Sequence, residues 1–292
     1  MSFYHHKIES LGKNSPGFPP ILKEISPCPS RLFVKGNKEL LKDSFLKIAI
    51  VGTRKATSPG LFLAEQFSKR LSEKNITIVS GLALGIDQAA HWGCLKARGK
   101  TIAVLARGLD SVYPAQHEAL ADKILENGGL LISEYPLGSP ILPHCFLERN
   151  RIVSGLSKGV VIIEAPANSG ALSTAAHAIE QNREVFVVPG AINNKNYEGS
   201  NSLIKQGAHL ISSANDVLEA LNLPRETGTL PLINLNQEQQ LIYDTLRLHG
   251  NNLIIDKIIE LTKLQPHVVN QTIAFMVIND IIQEGGSHYF LK

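Results

Sequence analysis

The segment from Lys47 to Ala90 constrains the possible fold more than any other stretch of this chain. Its first apolar run, Ile48 to Val51, is short and mostly β-branched, and a tight turn and an amphipathic helix pattern follow it. A second apolar run then ends in Ser80-Gly81. Such runs are typical of parallel strands that are buried on both faces. Both strands should end at the sheet edge where α/β proteins bind ligands.

The same alternation continues to residue 211 and predicts the fold class. Further apolar runs at 101–105, 129–134, 159–164, 184–190 and 208–211 alternate with helical patterns. One of these helices is predicted to begin at Asn150, after a loop. We therefore expect an α/β fold built on a doubly wound, mainly parallel sheet.

The chain divides into four segments by composition. Residues 1–46 are predicted to be an irregular lead-in, because five prolines prevent a long helix, although Arg31 to Lys35 could form a short edge strand. Residues 47–222 are the predicted α/β domain, and the Pro- and Gly-containing segment 223–234 is a plausible linker. Residues 235–292 favour three helices followed by a turn and a strand, the outline of a small winged-helix unit.

Cysteine content and charge distribution exclude several kinds of site. The three cysteines, Cys28, Cys94 and Cys145, are far apart and form no CxxC pair, and the ten histidines are scattered, so we expect neither a disulfide framework nor a metal site. No apolar run approaches the roughly 20 residues that span a bilayer, and no secretory pattern opens the chain, so we expect a cytoplasmic protein without membrane contact.

Residues 235–292 carry four Lys/Arg against six Asp/Glu, whereas residues 1–47 carry eight against four. A polyanion should therefore prefer the rest of the chain to this last segment.

The turn Gly52-Thr53-Arg54 is the first candidate site. It matches neither the GxGxxG dinucleotide fingerprint nor a P-loop. Backbone N–H groups at a helix start, the Thr53 hydroxyl and the Arg54 guanidinium could together hold a phosphate. The alternative is an ordinary turn with a surface arginine.

The second turn runs from Ser80 and Gly81 to Asp87, and its glycines allow a close backbone approach. His91 lies four residues after Asp87, on the same predicted helical face. The pair could serve acid–base chemistry, but no nucleophile accompanies it in the sequence. We expect a structural hydrogen bond instead.

Two later stretches offer further candidates. Phe146, Arg149 and Asn150 combine an aromatic ring with a cation, as in single-strand binding sites. In the alternative, Phe146 is core and Arg149 or Arg151 pairs with Glu134 or Glu164. Ser169-Gly170 begins a predicted helix and is a possible anion site. Lys195, in a polar loop at the same sheet edge, is either a phosphate contact or a solvated lysine.

Taken in order, these turns resemble those of the DprA/Smf family, the DNA-processing protein A of bacterial transformation. Six motifs carry the resemblance at sensible spacing, roughly from Phe18 to Leu221: Ile50-Val51-Gly52-Thr53-Arg54, Ser80-Gly81-Leu82-Ala83-Leu84-Gly85-Ile86-Asp87, Arg149-Asn150-Arg151-Ile152-Val153-Ser154-Gly155-Leu156-Ser157, Ser169-Gly170-Ala171-Leu172-Ser173-Thr174-Ala175, Val188-Pro189-Gly190 and Gly199-Ser200-Asn201-Ser202-Leu203-Ile204.

The resemblance implies an extended Rossmann-like domain with no cofactor and no enzymatic activity. It implies a homodimer that binds single-stranded DNA, protects the incoming strand and loads RecA recombinase. By position, Gly52, Thr53 and Arg54 would form the central phosphate site, and Ser80-Gly81 and Ser169-Gly170 would line the same groove. Phe146 would stand near the bases, and Arg149 and Asn150 would shape the pocket.

The chain departs from the family pattern in three places. We expect the family's N-terminal helical domain to be missing, with Phe18 to Asn37 as a remnant that resembles its linker. Pro143 falls near a position where relatives often carry a DNA-contacting lysine, and Gly170 to Ala175 differs mildly from the usual motif. The acidic balance of the tail favours a protein contact there over strong DNA binding.

A nucleotide-processing enzyme similar to the phosphoribohydrolases is the rival interpretation. Its PGGxGTxxE motif is not matched by the stretch from Glu164 to Gly170. A nucleotide sensor that uses the same groove is a third possibility.

Overall fold

The computed structural model describes residues 6–222, 235–249, 252–278, 281–285 and 288–291. The chain divides into two compact units, Met1–Pro224 and Arg225–Lys292. The predicted linker, residues 223–234, lies outside the described residues. Within the described ranges, no helix has both the length and the apolar character needed to cross a membrane.

The first unit is built on a nine-stranded sheet. Its strands are β1 (Ile8–Gly12), β2 (Arg31–Gly36), β3 (Lys47–Val51), β4 (Thr77–Ser80), β5 (Thr101–Leu105), β6 (Leu130–Ser133), β7 (Gly159–Ile162), β8 (Glu184–Val187) and β9 (His209–Leu210). They are ordered β1-β2-β6-β5-β4-β3-β7-β8-β9. All pairs from β6 to β9 are parallel, and β2 pairs antiparallel with both β1 and β6.

Strand order reverses between β3 and β7, which places a crevice at their carboxyl ends. From β3 the chain proceeds through β4, β5 and β6 on one side, and then crosses to β7, β8 and β9 on the other. Ligands bind at this switch point in doubly wound sheets. The predicted fold class is confirmed, and the turns after β3 and β7 meet at this crevice.

Seven helices of the first unit are described: α1 (Ser58–Glu73), α2 (Ile86–Lys96), α3 (Glu118–Glu126), α4 (Pro143–Gly155), α5 (Gly170–Glu180), α6 (Glu198–Lys205) and α7 (Ala214–Ala220). They cover both faces of the sheet, and β3 shows why. Ile48 and Ile50 belong to one apolar cluster, whereas Ala49 and Val51 belong to another. A strand that is buried on both faces needs apolar residues at every position, which is the pattern that the sequence has there.

The segment before Lys47 is not an irregular lead-in. It contributes β1 and β2 to the sheet, and the stretch between them packs Phe18 and Leu22 into the core at 2 % and 0 % exposure. The predicted strand at Arg31 to Lys35 is present, but β1 covers its outer side, so it is not the edge. The prolines lie outside both strands, where they exclude a long helix without preventing sheet pairing.

Helix α4 begins at Pro143, so the prediction that it starts at Asn150 is wrong. Pro143 occupies the first turn, where proline's missing N–H and fixed φ are tolerated. Phe146, Arg149 and Asn150 therefore lie within the helix rather than at its start.

The second unit contains α8 (Gln237–Leu248), α9 (Ile255–Thr262), α10 (Pro266–Ile278) and the strands β10 (Leu253–Ile254), β11 (Ile282–Gly285) and β12 (His288–Leu291). The strands pair antiparallel in the order β10-β12-β11. The single helix predicted from His267 to Gln283 is shorter, because Ile282 and Gln283 belong to a strand. Three helices and a small sheet fit the outline of a winged-helix unit, whose assignment stays a prediction.

Candidate functional site

A cleft of about 680 Å³ opens at the switch point of the sheet. Its lining combines the turn after β3, the turn after β4, one side of α4 and the start of α5. All of the predicted site residues except Ser80 and Lys195 line it, namely Gly52, Thr53, Arg54, Gly81, Phe146, Arg149, Asn150, Ser169 and Gly170.

Ser80 and Lys195 lie outside this cleft. The Ser80 side chain is fully buried, and its hydroxyl donates a hydrogen bond to the Ile50 carbonyl over 2.7 Å. It fastens β4 to β3 instead of facing a ligand. Lys195 is exposed on a short 3₁₀ turn, Lys195–Tyr197, and is not among the lining residues.

The turn after β3 holds Thr53 by its backbone. The Thr53 N–H donates to the Glu164 carbonyl over 2.7 Å, and the Thr53 carbonyl accepts from the Ile86 N–H over 3.3 Å. Helix α1 begins at Ser58, four residues beyond Arg54. The predicted clamp of free N–H groups at a helix start is therefore wrong for Thr53. The group of this turn that remains available to a ligand is the Arg54 side chain.

Glycine is required at two of these positions by close approach. A Cβ on Gly52 would lie 2.6 Å from Ile86 Cγ1 and 2.8 Å from the Glu164 carbonyl oxygen. A Cβ on Gly81 would lie 2.5 Å from an Arg149 guanidinium nitrogen. Both contacts are too short for real atoms, so the backbone can pass there only without a side chain.

Glu164, two residues after β7, holds the segment that follows β3 and is fully buried. Its carboxylate accepts from the Thr57 hydroxyl, from the Thr57 N–H over 2.9 Å and from Asn196 Nδ2 over 3.2 Å. Burial, together with a hydrogen bond to Glu164, raises the pKa of Tyr197 to about 12. The carboxylate is thus saturated with donors, which suits a structural acceptor and not a catalytic base.

One wall of the cleft is a cation beside two aromatic rings. The Arg54 guanidinium lies 4.9 Å from the centroid of the Phe146 ring, within cation–π range. The Tyr113 ring lies 5.6 Å from Phe146, with an angle of 57° between their planes. Arg54 is exposed, and none of the ion pairs found in the described ranges involves it. Sequence reasoning missed Tyr113; the signal that could have found it is its place after β5, at the same sheet edge.

Arg149 is held inside the protein. It is 4 % exposed, and Nη1 donates to the Gly81 carbonyl over 2.6 Å and also to the Val104 carbonyl. Burial lowers the pKa of Arg149 to about 10, against the opposing charge of Asp87. Its guanidinium therefore joins the ends of β4 and β5 while adding positive charge to the cleft.

Asn150 ties α4 to the start of α5. Its Nδ2 donates to the Gly170 carbonyl over 3.1 Å and to Ser173 Oγ over 2.9 Å. Ser169 caps α5 by accepting from the Ala171 N–H over 3.2 Å. Gly170 is exposed, and a Cβ there would find its nearest neighbour, a Leu147 methyl, only at 4.0 Å. The start of α5 therefore opens onto the cleft.

One side-chain pair considered from the sequence, Asp87 with His91, does not form. Asp87 accepts from the Gly81 and Ala83 N–H groups over 3.0 and 3.4 Å, whereas His91 Nδ1 bonds to Thr101 Oγ1 over 2.8 Å. The two side chains thus bind different partners, and the expected hydrogen bond between them is wrong, as is an acid–base pair.

Arg151 donates to the Glu134 carboxylate. This is the ion pair that the alternative interpretation of this stretch named.

Residues 9–222 match the family described as DNA recombination-mediator protein A. The chain belongs to this family. The resemblance inferred from the six motifs is thereby confirmed over the whole α/β unit.

Relatives named Smf and DprA are similar over most of the chain. Protein Smf of Escherichia coli is 44 % identical over 217 residues, which are 74 % of this chain and 57 % of that protein. DNA processing protein DprA of Streptococcus pneumoniae is 45 % identical over 201 residues, 69 % of this chain and 70 % of that protein. This chain therefore spans less than two thirds of the length of the Escherichia coli relative.

Two solved structures of DNA processing protein A share the fold. The Streptococcus pneumoniae structure has a TM-score of 0.68 at 42 % identity, covering 73 % of this chain and 74 % of that one. The Helicobacter pylori structure, described by its single-stranded DNA binding mode, has a TM-score of 0.67 at 31 % identity. It covers 76 % of this chain and 98 % of that one.

Proposed function

We propose that this protein binds single-stranded DNA in the cleft and acts in DNA processing during transformation, without catalysing a reaction. The observation that carries the proposal is the wall formed by Arg54, Phe146 and Tyr113. It places an exposed cation beside two rings in the cleft at the switch point of the sheet. Phosphate neutralisation and base stacking are the two interactions that non-specific single-strand binding needs.

Two groups are suited to phosphate. The Arg54 guanidinium is exposed and can present a planar pair of donors. The positive end of the eleven-residue helix α5 lies at Gly170, where the lack of a side chain leaves room for an approaching phosphate; the next N–H, of Ala171, is bound by Ser169. Binding should therefore weaken steeply with salt.

The rings are suited to bases. Phe146 and Tyr113 offer aromatic faces, and the Tyr113 side chain is 45 % exposed. Stacking on an aromatic face accepts any base. We expect little sequence preference and a preference for unpaired strands, because a base must leave the duplex to stack.

The rival enzyme needs a free carboxylate at the cleft, and the described residues offer none in that role. Asp87 lines the cleft, but its oxygen accepts from two backbone N–H groups, and burial raises the pKa of Asp87. Glu164 is saturated as described above. These contacts favour a binding protein over a hydrolase.

The family resemblance supports the finer parts of the proposal. In it, the protein acts as a cytoplasmic homodimer that protects the incoming strand and hands it to RecA recombinase. Oligomeric state and RecA contact require their own measurements, by sedimentation and by a strand-loading assay.

A fluorescence-anisotropy titration of labelled oligo-dT and its duplex tests the central claim. We expect Arg54→Ala to weaken single-strand binding at least about tenfold, since it removes a charge-assisted phosphate contact. Phe146→Ala should lose about 1–3 kcal/mol of stacking. Arg31→Ala is the matched control, because Arg31 is exposed on β2 and outside the cleft.

Equal binding by the Arg54 and Arg31 variants would contradict the proposed cleft. Binding of mononucleotides without oligonucleotide binding would instead favour the nucleotide sensor.

A further inference from the structure

The first two turns of α4 bring together three side chains of metal-ligating type. His144, Cys145 and Glu148 each point one ligand atom to a common place, and these atoms all lie within 4.8 Å of one another. His144 and Glu148 are four residues apart and therefore share a helix face, while Cys145 lies about 100° around the axis. None of the three lines the DNA cleft, so this cluster is separate from it.

The donor set selects the kind of cation. Imidazole nitrogen, sulfur and carboxylate oxygen are the ligands of Zn²⁺, whereas Mg²⁺ and Ca²⁺ prefer oxygen alone. Zinc–ligand bonds of about 2.0–2.3 Å place neighbouring tetrahedral ligands about 3.3–3.8 Å apart. His144 and Glu148 are exposed and can close the remaining distance by rotation, while the sulfur of Cys145, at 3 % exposure, stays in place. We propose that His144, Cys145 and Glu148 bind Zn²⁺, with water as the fourth ligand.

Tyr135 supports this site from a neighbouring segment. Its hydroxyl donates to one Glu148 carboxylate oxygen over 2.9 Å and lies 3.4 Å from the Cys145 carbonyl. A hydrogen-bonded carboxylate whose other oxygen is open is the usual arrangement around a bound metal. Zinc would thus hold the segment at Tyr135 against the turn from which Phe146 projects.

Sequence reasoning predicted no metal site because the histidines are scattered and the three cysteines form no CxxC pair. His-Cys-x-x-Glu converges only when these residues are helical. The structure starts α4 at Pro143, which puts all three ligands in the first two turns.

Zinc binding to the full chain, reduced and free of chelators, tests the proposal. Titration of ZnCl₂ against a chromogenic chelator should give one site per chain. Cys145→Ser and His144→Gln should each weaken it at least tenfold, and Tyr135→Phe should weaken it about 10-fold, since supporting partners contribute about 10–100-fold. Co²⁺ in place of zinc should show a sulfur-to-metal charge-transfer band that Cys145→Ser abolishes.

Two matched controls separate this site from adventitious binding. His177 pairs with Glu180 on α5 at a spacing of three, with 3.3 Å between Nδ1 and the carboxylate and no thiol beside them. His177→Ala and Cys28→Ser should leave zinc affinity unchanged. Substoichiometric binding, binding that survives Cys145→Ser, or a cobalt spectrum without the charge-transfer band would overturn the proposal. No oligonucleotide is present, so the outcome is independent of DNA binding.

Discussion

Glu164→Gln should destabilise the α/β unit strongly while leaving its shape almost unchanged. The wild-type carboxylate is fully buried and accepts from the Thr57 N–H, the Thr57 hydroxyl and Asn196 Nδ2. An amide of the same size replaces one acceptor by a donor. At least one buried donor then loses its partner, which costs about 1–3 kcal/mol, and the remaining bonds weaken from charged to neutral, by about 1 kcal/mol. The sum is about 2–4 kcal/mol.

Urea unfolding followed by tryptophan fluorescence measures this loss. The chain has one tryptophan, Trp92, which is packed within the α/β unit, so the signal reports on that unit. With a urea dependence of about 2–3 kcal/mol per molar, the midpoint should fall by about 1 M. Glu180→Gln, at an exposed carboxylate on α5, is the control and should shift the free energy of unfolding by less than about 0.5 kcal/mol.

A double-mutant cycle identifies the partner. Thr57→Val combined with Glu164→Gln should show a coupling of about 0.5–3 kcal/mol, because the two side chains contact each other. If the Glu164 and Glu180 variants unfold at the same urea concentration, the buried carboxylate does not hold Thr57 and Asn196 in place and the reasoning fails.

Three other perturbations have defined outcomes. Gly52→Ala should lower both stability and single-strand affinity, by a few kcal/mol in unfolding, because its Cβ would overlap Ile86 and the Glu164 carbonyl; unchanged values for both would contradict the close approach. Tyr113→Ala should weaken oligo-dT binding about 5-fold or more through lost stacking, with stability nearly unchanged. His91 is buried, and burial lowers its pKa from 6.5 to about 3, so the unfolded chain takes up its proton first and stability falls as pH drops below about 6.5. The fall should approach about 1.4 kcal/mol per pH unit down to pH 4.5 and be shallower in His91→Gln, as denaturant titrations at several pH values would show.

Local pattern predicted the elements whose hydrophobicity reflects two-sided burial. The strand at Ile48 to Val51 and the turn at Gly52-Thr53-Arg54 appear where the pattern places them, because a strand covered on both faces must be apolar throughout. The start of α4 was missed because its first turns, with Pro143 and two exposed polar residues, lack an apolar stripe. Strand β1 was missed, and β2 was predicted only as an edge strand, because the pairing of β2 with both β1 and β6 joins segments that are apart in sequence.

The residues of the candidate site likewise divide into those that local sequence predicted and those that only the structure assigned. Arg54, Phe146 and Gly170 were predicted from turns and helix starts, and the cleft contains them. Ser80 was included because it ends a strand. Its hydroxyl instead donates to the Ile50 carbonyl of the neighbouring strand, because pairing of β4 with β3 brings these two groups together. Tyr113 became a site residue only in the structure, where its ring packs on Phe146.

The sequence by itself determined the α/β class, the edge of the sheet at which the turns meet and the family, because these follow from periodicity and from short motifs read along the chain. Tertiary structure decided which polar groups remain available to a ligand. Arg54 and Arg149 are both arginines in matching motifs. Arg54 is exposed beside the Phe146 ring, whereas the Arg149 guanidinium donates to two backbone carbonyls. That difference depends on which backbone atoms the fold brings within hydrogen-bond distance, and those atoms come from residues far apart in the chain.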